Sequence, residues 1–312
     1  MKIYKAYGFP ISSVFELPEL PPYTGAGSCI SICDAEIVLP LSLKAQNCYR
    51  KGVQAFFHGD ENLAFLHWPG IADFKAEKGT TLYADVKTEN DDIFRMFLLS
   101  EALGLVLFQR GCFLLHASAV KVGDQAVVLM GLPGSGKSTT AAAFAMSGCP
   151  ILADDLVALS FDPENRPFVV PAFPQIKIWQ SAVKGLGLES APIDPLYPGS
   201  EKFKLVAKSD FPDQPVKLGH IIVLDAKGMP ASMIEIPSHE AFLQLTRYFA
   251  LPPSLLQGAA LQRHFNQASA ITMHSKMWNL GRPAGFGELK NFVERQLTDF
   301  TAEYSSQQPT RP

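Results

Sequence analysis

Cysteine is scarce in this chain. Five occur in 312 residues, Cys29, Cys33, Cys48, Cys112 and Cys149. The number is odd and no C-x-x-C pair is present, so neither a disulfide framework nor a zinc ribbon is expected. Cys29 and Cys33 share one face of the strand-like "CISIC", but two ligands do not close a zinc site. An excess of positive charge is missing too. Lys and Arg total 27 against 30 Asp and Glu, a formal charge of −3, with no block of like charges; this excludes a basic nucleic-acid footprint. The scattered histidines lack H-E-x-x-H spacing. Long apolar runs are absent. The most apolar stretch, "IFRMFLLSEALGLVLF", carries Arg95 and Glu101 and falls short of the ~20 residues a spanning helix needs. The opening "MKIYKAYGFPISS" has no apolar core of signal-peptide length. A cytoplasmic protein without a membrane partner is expected.

What is present is the composition of an ordinary globular protein, 47% hydrophobic and 18% charged. Residues 1–92 are turn-rich and alternate with a period of two in "GSCISICDAEIVL", "NLAFLHW" and "TTLYADVK", predicting a β-rich N-terminal accessory unit. A second unit, 93–304, opens with a helix over Ile93–Gln109, buried between two layers. A hairpin follows, "CFLLHASAV" and "QAVVLM" joined at "KVGD". Next come a helix "KSTTAAAFAMSG" stopped by Gly148, a strand "PILADDLVALSF" and a buried strand "LGHIIVLDAK". C-terminal helices start at Ser238 as an N-cap and at a capping box of Ser254 and Gln257. A last helix sets Leu289, Phe292, Val293, Leu297 and Phe300 on one stripe. The tail 305–312 is expected to be disordered.

The most informative stretch is "VVLMGLPGSGKSTTAAAF". Gly131, Gly136, Lys137 and Ser138 satisfy G-x-x-x-x-G-K-[ST], a spacing that roughly one chain in a hundred of this length would match by chance. Here an apolar strand precedes it and an alanine-rich helix follows. Such a P-loop turns successive backbone N–H groups inward around phosphate oxygens, and the helix N-terminus adds partial positive charge. Gly131, Pro133, Gly134, Ser135, Gly136, Lys137, Ser138 and Thr139 are therefore the candidate ATP-binding residues. Lys137 would reach the β- and γ-phosphates, and Ser138 would ligate Mg²⁺.

One helix later, "LADD" ends an apolar strand. A Mg²⁺–nucleotide site needs a carboxylate, and phosphorylating a hydroxyl needs a proton acceptor; Asp154 and Asp155 could divide the two roles. Neighbouring side chains on a regular strand point to opposite faces, so the strand must loosen there for both to reach one site. A turn pair on a solvated edge is the alternative.

His116 lies in "LLHASAV", immediately before the loop's strand. The order "HASAV", "GLPGSGKSTT", "LADD" resembles the catalytic domain of the HPr kinase/phosphorylase family, whose P-loop fold is related to phosphoenolpyruvate carboxykinase. The similarity extends to stand-alone HPr kinase-like proteins, including serine kinases of lasso-peptide clusters, at "YGFPISS", "FLLSEALGLVLFQRGCFLLHASAV" and "LGHIIVL". The resemblance implies an α/β, HPr-kinase-like P-loop domain with a β-rich N-terminal unit and C-terminal helices. It also implies an ATP- and Mg²⁺-dependent kinase acting on a Ser hydroxyl of a peptide or small protein. Carried over, His116 lies beside the carboxylates and Asp154 and Asp155 supply base and metal ligand, with Asp154 leaning to base and Asp155, with Ser138, to metal. A cation after the acids would be Lys177 or Lys202. The E-x-R-G-L-G signature of the HPr kinases proper is missing, since "KIWQSAVKGLGL" keeps only "KGLG"; phosphorylase activity and recognition of HPr are therefore in doubt. A small-molecule kinase and a non-catalytic nucleotide sensor remain alternatives, and homo-oligomerisation stays open.

Overall fold

The computed structural model describes residues 1–27, 29–191, 193–206, 211–225, 232–281 and 285–307. Its first sheet contains β1 (Lys2–Ala6), β2 (Phe9–Ser13), β3 (Ile30–Asp34), β4 (Lys44–Arg50), β5 (Val53–Gly59), β6 (Leu63–Trp68), β7 (Ala72–Glu77) and β8 (Thr81–Val86). They lie in the order β1-β2-β3-β8-β7-β6-β5-β4. Alternation dictates the buried face: Ala64, Leu66 and Trp68 of β6 turn inward with Ala72, Phe74 and Ala76 of β7.

Against that face lies the segment α1 (Asp91–Phe97), a π turn (Leu98–Ala102) and α2 (Leu103–Gln109). Asn90 caps it by accepting the Ile93 N–H at 3.0 Å. Trp68 meets Phe97 edge-on, with centroids 4.8 Å apart. Every residue from Leu103 to Phe108 is buried, which a helix achieves only when covered on both sides.

The second cover is a nine-stranded sheet. In chain order its parts and neighbours are β9 (Phe113–Leu115), β10 (Ala117–Val122), β11 (Gln125–Gly131), α3 (Lys137–Met146), β12 (Ile151–Ala153), β13 (Val157–Phe161), β14 (Pro167–Val170), β15 (Gln175–Trp179), α4 (Gln180–Leu186), β16 (Ile193–Pro195), β17 (Lys202–Val206), β18 (Val216–Asp225), β19 (Met233–Glu235), α5 (Ser238–Arg247), α6 (Gly258–His274), β20 (Lys276–Gly281) and α7 (Phe286–Gln307). The main path runs β12-β10-β11-β18-β14-β13-β9, with β20 parallel to β18, and β15-β17-β16 form a separate small sheet. The period of two sorts this sheet's residues between two cores. Ala126, Val128 and Met130 join the first sheet and α2, whereas Val127 and Leu129 join α3, α4 and α7.

Several expectations change in detail. "CFLLHASAV" is two strands, because the chain breaks at His116: β9 pairs with β13 while β10 pairs with β11 and β12. "PILADDLVALSF" is likewise two strands, β12 and β13, parted at the aspartates, and Asp155 has φ +71°. Ser238 is not an N-cap; Pro237 occupies that place, and no side chain caps the helix. Ser254 belongs to a 3-10 turn, Pro253–Leu255, and α6 begins at Gly258. The stripe on α7 holds: Leu289, Phe292, Val293 and Phe300 are buried, with Leu297 packed against them. That helix continues to Gln307; the rest of the expected tail, 308–312, and the last two residues of "LGHIIVLDAK" lie outside the described residues. All five cysteines are free, with Cys149 buried and Cys29 exposed. Among the described residues no helix is long and apolar enough to cross a membrane.

Candidate active site

The loop between β11 and α3 requires its glycines. Gly131 has φ +154°, and a Cβ there would stand 2.4 Å from the Ser135 hydroxyl and 2.9 Å from the Leu224 carbonyl. Gly136 precedes α3 at φ +100°, in the left-handed region that favours glycine. The first N–H groups of α3 have no carbonyl within their own helix to bond. Pro133 and Gly134 are exposed at the tip, Thr139 is half-buried in the first turn, and Ser135 is buried with a hydroxyl that has no partner. The Lys137 ammonium folds back on the loop, donating to the carbonyls of Gly131 at 2.9 Å and Leu132 at 3.3 Å. Burial lowers its pKa, opposed by Asp155 and Asp154.

Asp154, at the end of β12, is buried and accepts three hydrogen bonds. Its Oδ1 accepts from the Ser118 hydroxyl of β10 at 2.6 Å and from the Ser138 hydroxyl of α3 at 2.8 Å. Its Oδ2 accepts the Lys177 backbone N–H at 2.8 Å. Burial first, and then the neighbouring Asp155, raise this carboxyl above the ordinary range.

Asp155 differs. Burial would raise it, but the Lys177 ammonium at 3.0 Å and the Arg50 guanidinium at 3.3 Å outweigh burial and hold it well below the usual carboxylate range. Both contacts fall on Oδ2. Its backbone carbonyl lies 3.0 Å from Nδ1 of His116. A carbonyl only accepts, so Nδ1 carries the proton. Burial and then Lys137 lower the His116 pKa, which favours the neutral ring, and in that form Nε2 is the unprotonated nitrogen. The His116 N–H itself donates to the Tyr248 carbonyl at 2.9 Å, fixing the break between β9 and β10.

The structure thus brings His116, Lys137, Ser138, Asp154 and Asp155 together. Of the two lysines read as the following cation, Lys177 pairs with Asp155. Lys202 lies over the ring of the half-exposed Trp179, 4.8 Å from its centroid. Three members were not found in the sequence. Ser118 carried a usable signal, standing two residues after His116 in the same apolar run. Glu101 carried a weak one, as an acid inside an apolar run expected to be buried, and Arg50 carried none. They are joined by two hydrogen bonds of 2.8 and 3.1 Å, and Arg50 reaches Asp155 from 105 positions away.

No protein-family model matches the chain, and no curated protein matches it. Among solved structures it is similar to the HPr(Ser) kinase/phosphatase from Coxiella burnetii at 14% identity. That alignment covers 62% of this chain and 98% of the other, with a TM-score of 0.33.

Proposed function

We propose that the protein is a P-loop kinase of the HPr-kinase-like kind, transferring the γ-phosphoryl group of ATP to a hydroxyl, with Ser of a peptide or small protein as the acceptor class. The observation that carries this reading is the 2.8 Å hydrogen bond between Ser138, at the start of α3, and the Asp154 carboxylate, with a second carboxylate beside it. A glycine loop alone suits any phosphate; two carboxylates at its mouth suit a metal–phosphate and a proton to be removed.

The donor set fits Mg²⁺, which takes one or two protein oxygens and leaves the rest of its shell to phosphate and water. Ser138 and Asp155 would hold it, and when bound it would neutralise charge on the phosphates. The unpartnered Ser135 hydroxyl and the N-terminal N–H groups of α3 would bind phosphate oxygens. Lys137 would exchange the Gly131 and Leu132 carbonyls for phosphate. Asp154, with its raised carboxyl, suits the proton acceptor for an attacking hydroxyl. Asp155, held anionic by Lys177 and Arg50, suits a cation.

The test is γ-labelled ATP with Mg²⁺, the purified protein and a lysate of its source organism, read by mass spectrometry beside an Asp154→Asn control. Label on a peptide or protein Ser, lost in the control, is expected. Label on a small metabolite would make it a small-molecule kinase. ATP binding without any label would make it a nucleotide sensor.

A further inference from the structure

A side chain at the end of β4 carries the N-terminal sheet to the acid pair. Arg50, the last residue of β4, is 15% exposed and bonds Glu101 through Nε at 3.1 Å and Nη2 at 2.8 Å. Its Nη1 lies 3.3 Å from Asp155 Oδ2. Glu101 is fixed in turn, accepting from the Ser100 hydroxyl at 2.6 Å. Both ends of this chain of contacts have unusual backbone. Ser100, inside the π turn, has φ −112° and ψ −113°, outside helical values; Asp155 has φ +71°. Left-handed non-glycine residues such as Asp155 persist where the surroundings over-determine them, and they cluster at functional sites. An enclosed ion pair generally contributes little to stability over apolar side chains of the same shape.

We infer that Arg50 is a positioning residue for phosphoryl transfer, making the N-terminal sheet a working part of the site. Glu101 sets the guanidinium plane, and Arg50 together with Lys177 grips Oδ2 of Asp155 so that the rest of that carboxylate is presented at one orientation. The planar fork is required, because a lysine ammonium has no second arm to bond Glu101 and Asp155 in the same geometry. This rests on the reading of Asp155 given above.

The test is a double-mutant cycle in the full chain: Arg50→Met, Asp155→Asn and the two combined, with Arg50→Lys and Arg50→Met/Glu101→Leu alongside. Transfer of γ-label is followed together with ATP affinity in Mg²⁺ and in EDTA. Arg50→Met is expected to slow transfer about 10²-fold, the scale of a small misplacement at the reacting centre, with ATP affinity in EDTA unchanged. Arg50→Lys should not restore it. The combined variant should be no slower than Asp155→Asn, because Arg50 acts through that carboxylate. Arg50→Met/Glu101→Leu replaces the pair by apolar groups and should stay folded yet slow, separating position from folding. A wild-type rate in Arg50→Met, or losses that multiply in the combined variant, would overturn the inference. If the wild type binds ATP but transfers no label, the kinase reading fails by itself. Arg50 is then judged on affinity: loss of the Mg²⁺-dependent part of ATP binding supports its role, and retention overturns it. A wild type that binds no ATP sinks both.

Discussion

On the proposed kinase reading, Asp154 sets function against stability within a single carboxylate. Burial and Asp155 raise its pKa, so the folded state holds a proton there more tightly than the unfolded chain does. Stability from this group is therefore lost as pH rises through the window above the ordinary carboxylate value, a cost that a side chain without a titrating proton does not carry. Asp154→Asn removes that cost while an amide still fits between two rotatable hydroxyls, Ser118 and Ser138, and the Lys177 N–H. The variant is expected to melt no lower than the wild type by calorimetry at neutral pH while phosphoryl transfer falls by about 10² or more. A lower melting temperature would mean that the three hydrogen bonds outweigh the charge. Residues at this scale were legible where their chemistry is encoded in local spacing, from Gly131 to Thr139. Arg50 was not, because nothing near it in the chain distinguishes it from a surface arginine at a strand end.

Among the elements, α4 and α7 meet at Gly185. A Cβ there would lie 2.1 Å from the ring of Phe286, at the start of α7. Two effects oppose one another in Gly185→Ala. Helix propensity favours alanine by about 1 kcal/mol, while overpacking against a ring costs about 1–3 kcal/mol. A net loss of up to about 2 kcal/mol is expected from the urea midpoint at unchanged slope; a gain would show that Phe286 swings aside freely. The longer helices were legible, α7 most plainly from the spacing of its apolar residues, whereas α4 was not read from the sequence. The starts of α5 and α6 were not legible. Ser238 and Ser254 have the chemistry of caps, yet the chain turns into each helix elsewhere, since a cap is set by backbone direction as much as by side-chain type. The breaks at His116 and Asp155 were half legible. Two adjacent acids serving one site required a loosened strand, but only the pairing of β9 with β13 shows that His116 sits where the chain changes neighbours.

Across the whole molecule, enclosed histidines tie stability to pH, and His264 shows it away from the site. His264 on α6 stacks on Phe113 at 4.5 Å between centroids, its Nε2 has no partner, and burial followed by Arg263 pushes its pKa down to about 4. It stays neutral in the folded state while the unfolded chain takes up a proton below its ordinary value of 6.5. Its contribution is complete above that pH and is lost as pH falls towards 4, at up to about 1.4 kcal/mol per pH unit. His264→Phe keeps a ring in the stack and is expected to flatten the fall in unfolding free energy between pH 6.5 and 4. An unchanged slope would assign the acid sensitivity to other groups.

The sequence by itself determined that the first ninety residues are β-rich and where the helical segment before β9, α3 and α7 run, and it singled out the glycine loop and the acid pair. Those depend on periods of two and 3.6 and on glycines that a tight turn cannot do without. Only the tertiary structure decided that the first sheet shares a continuous core with the second and delivers Arg50 to Asp155. Contacts across a hundred positions arise from how the sheets stack on α1 and α2, and no local pattern of residues records that.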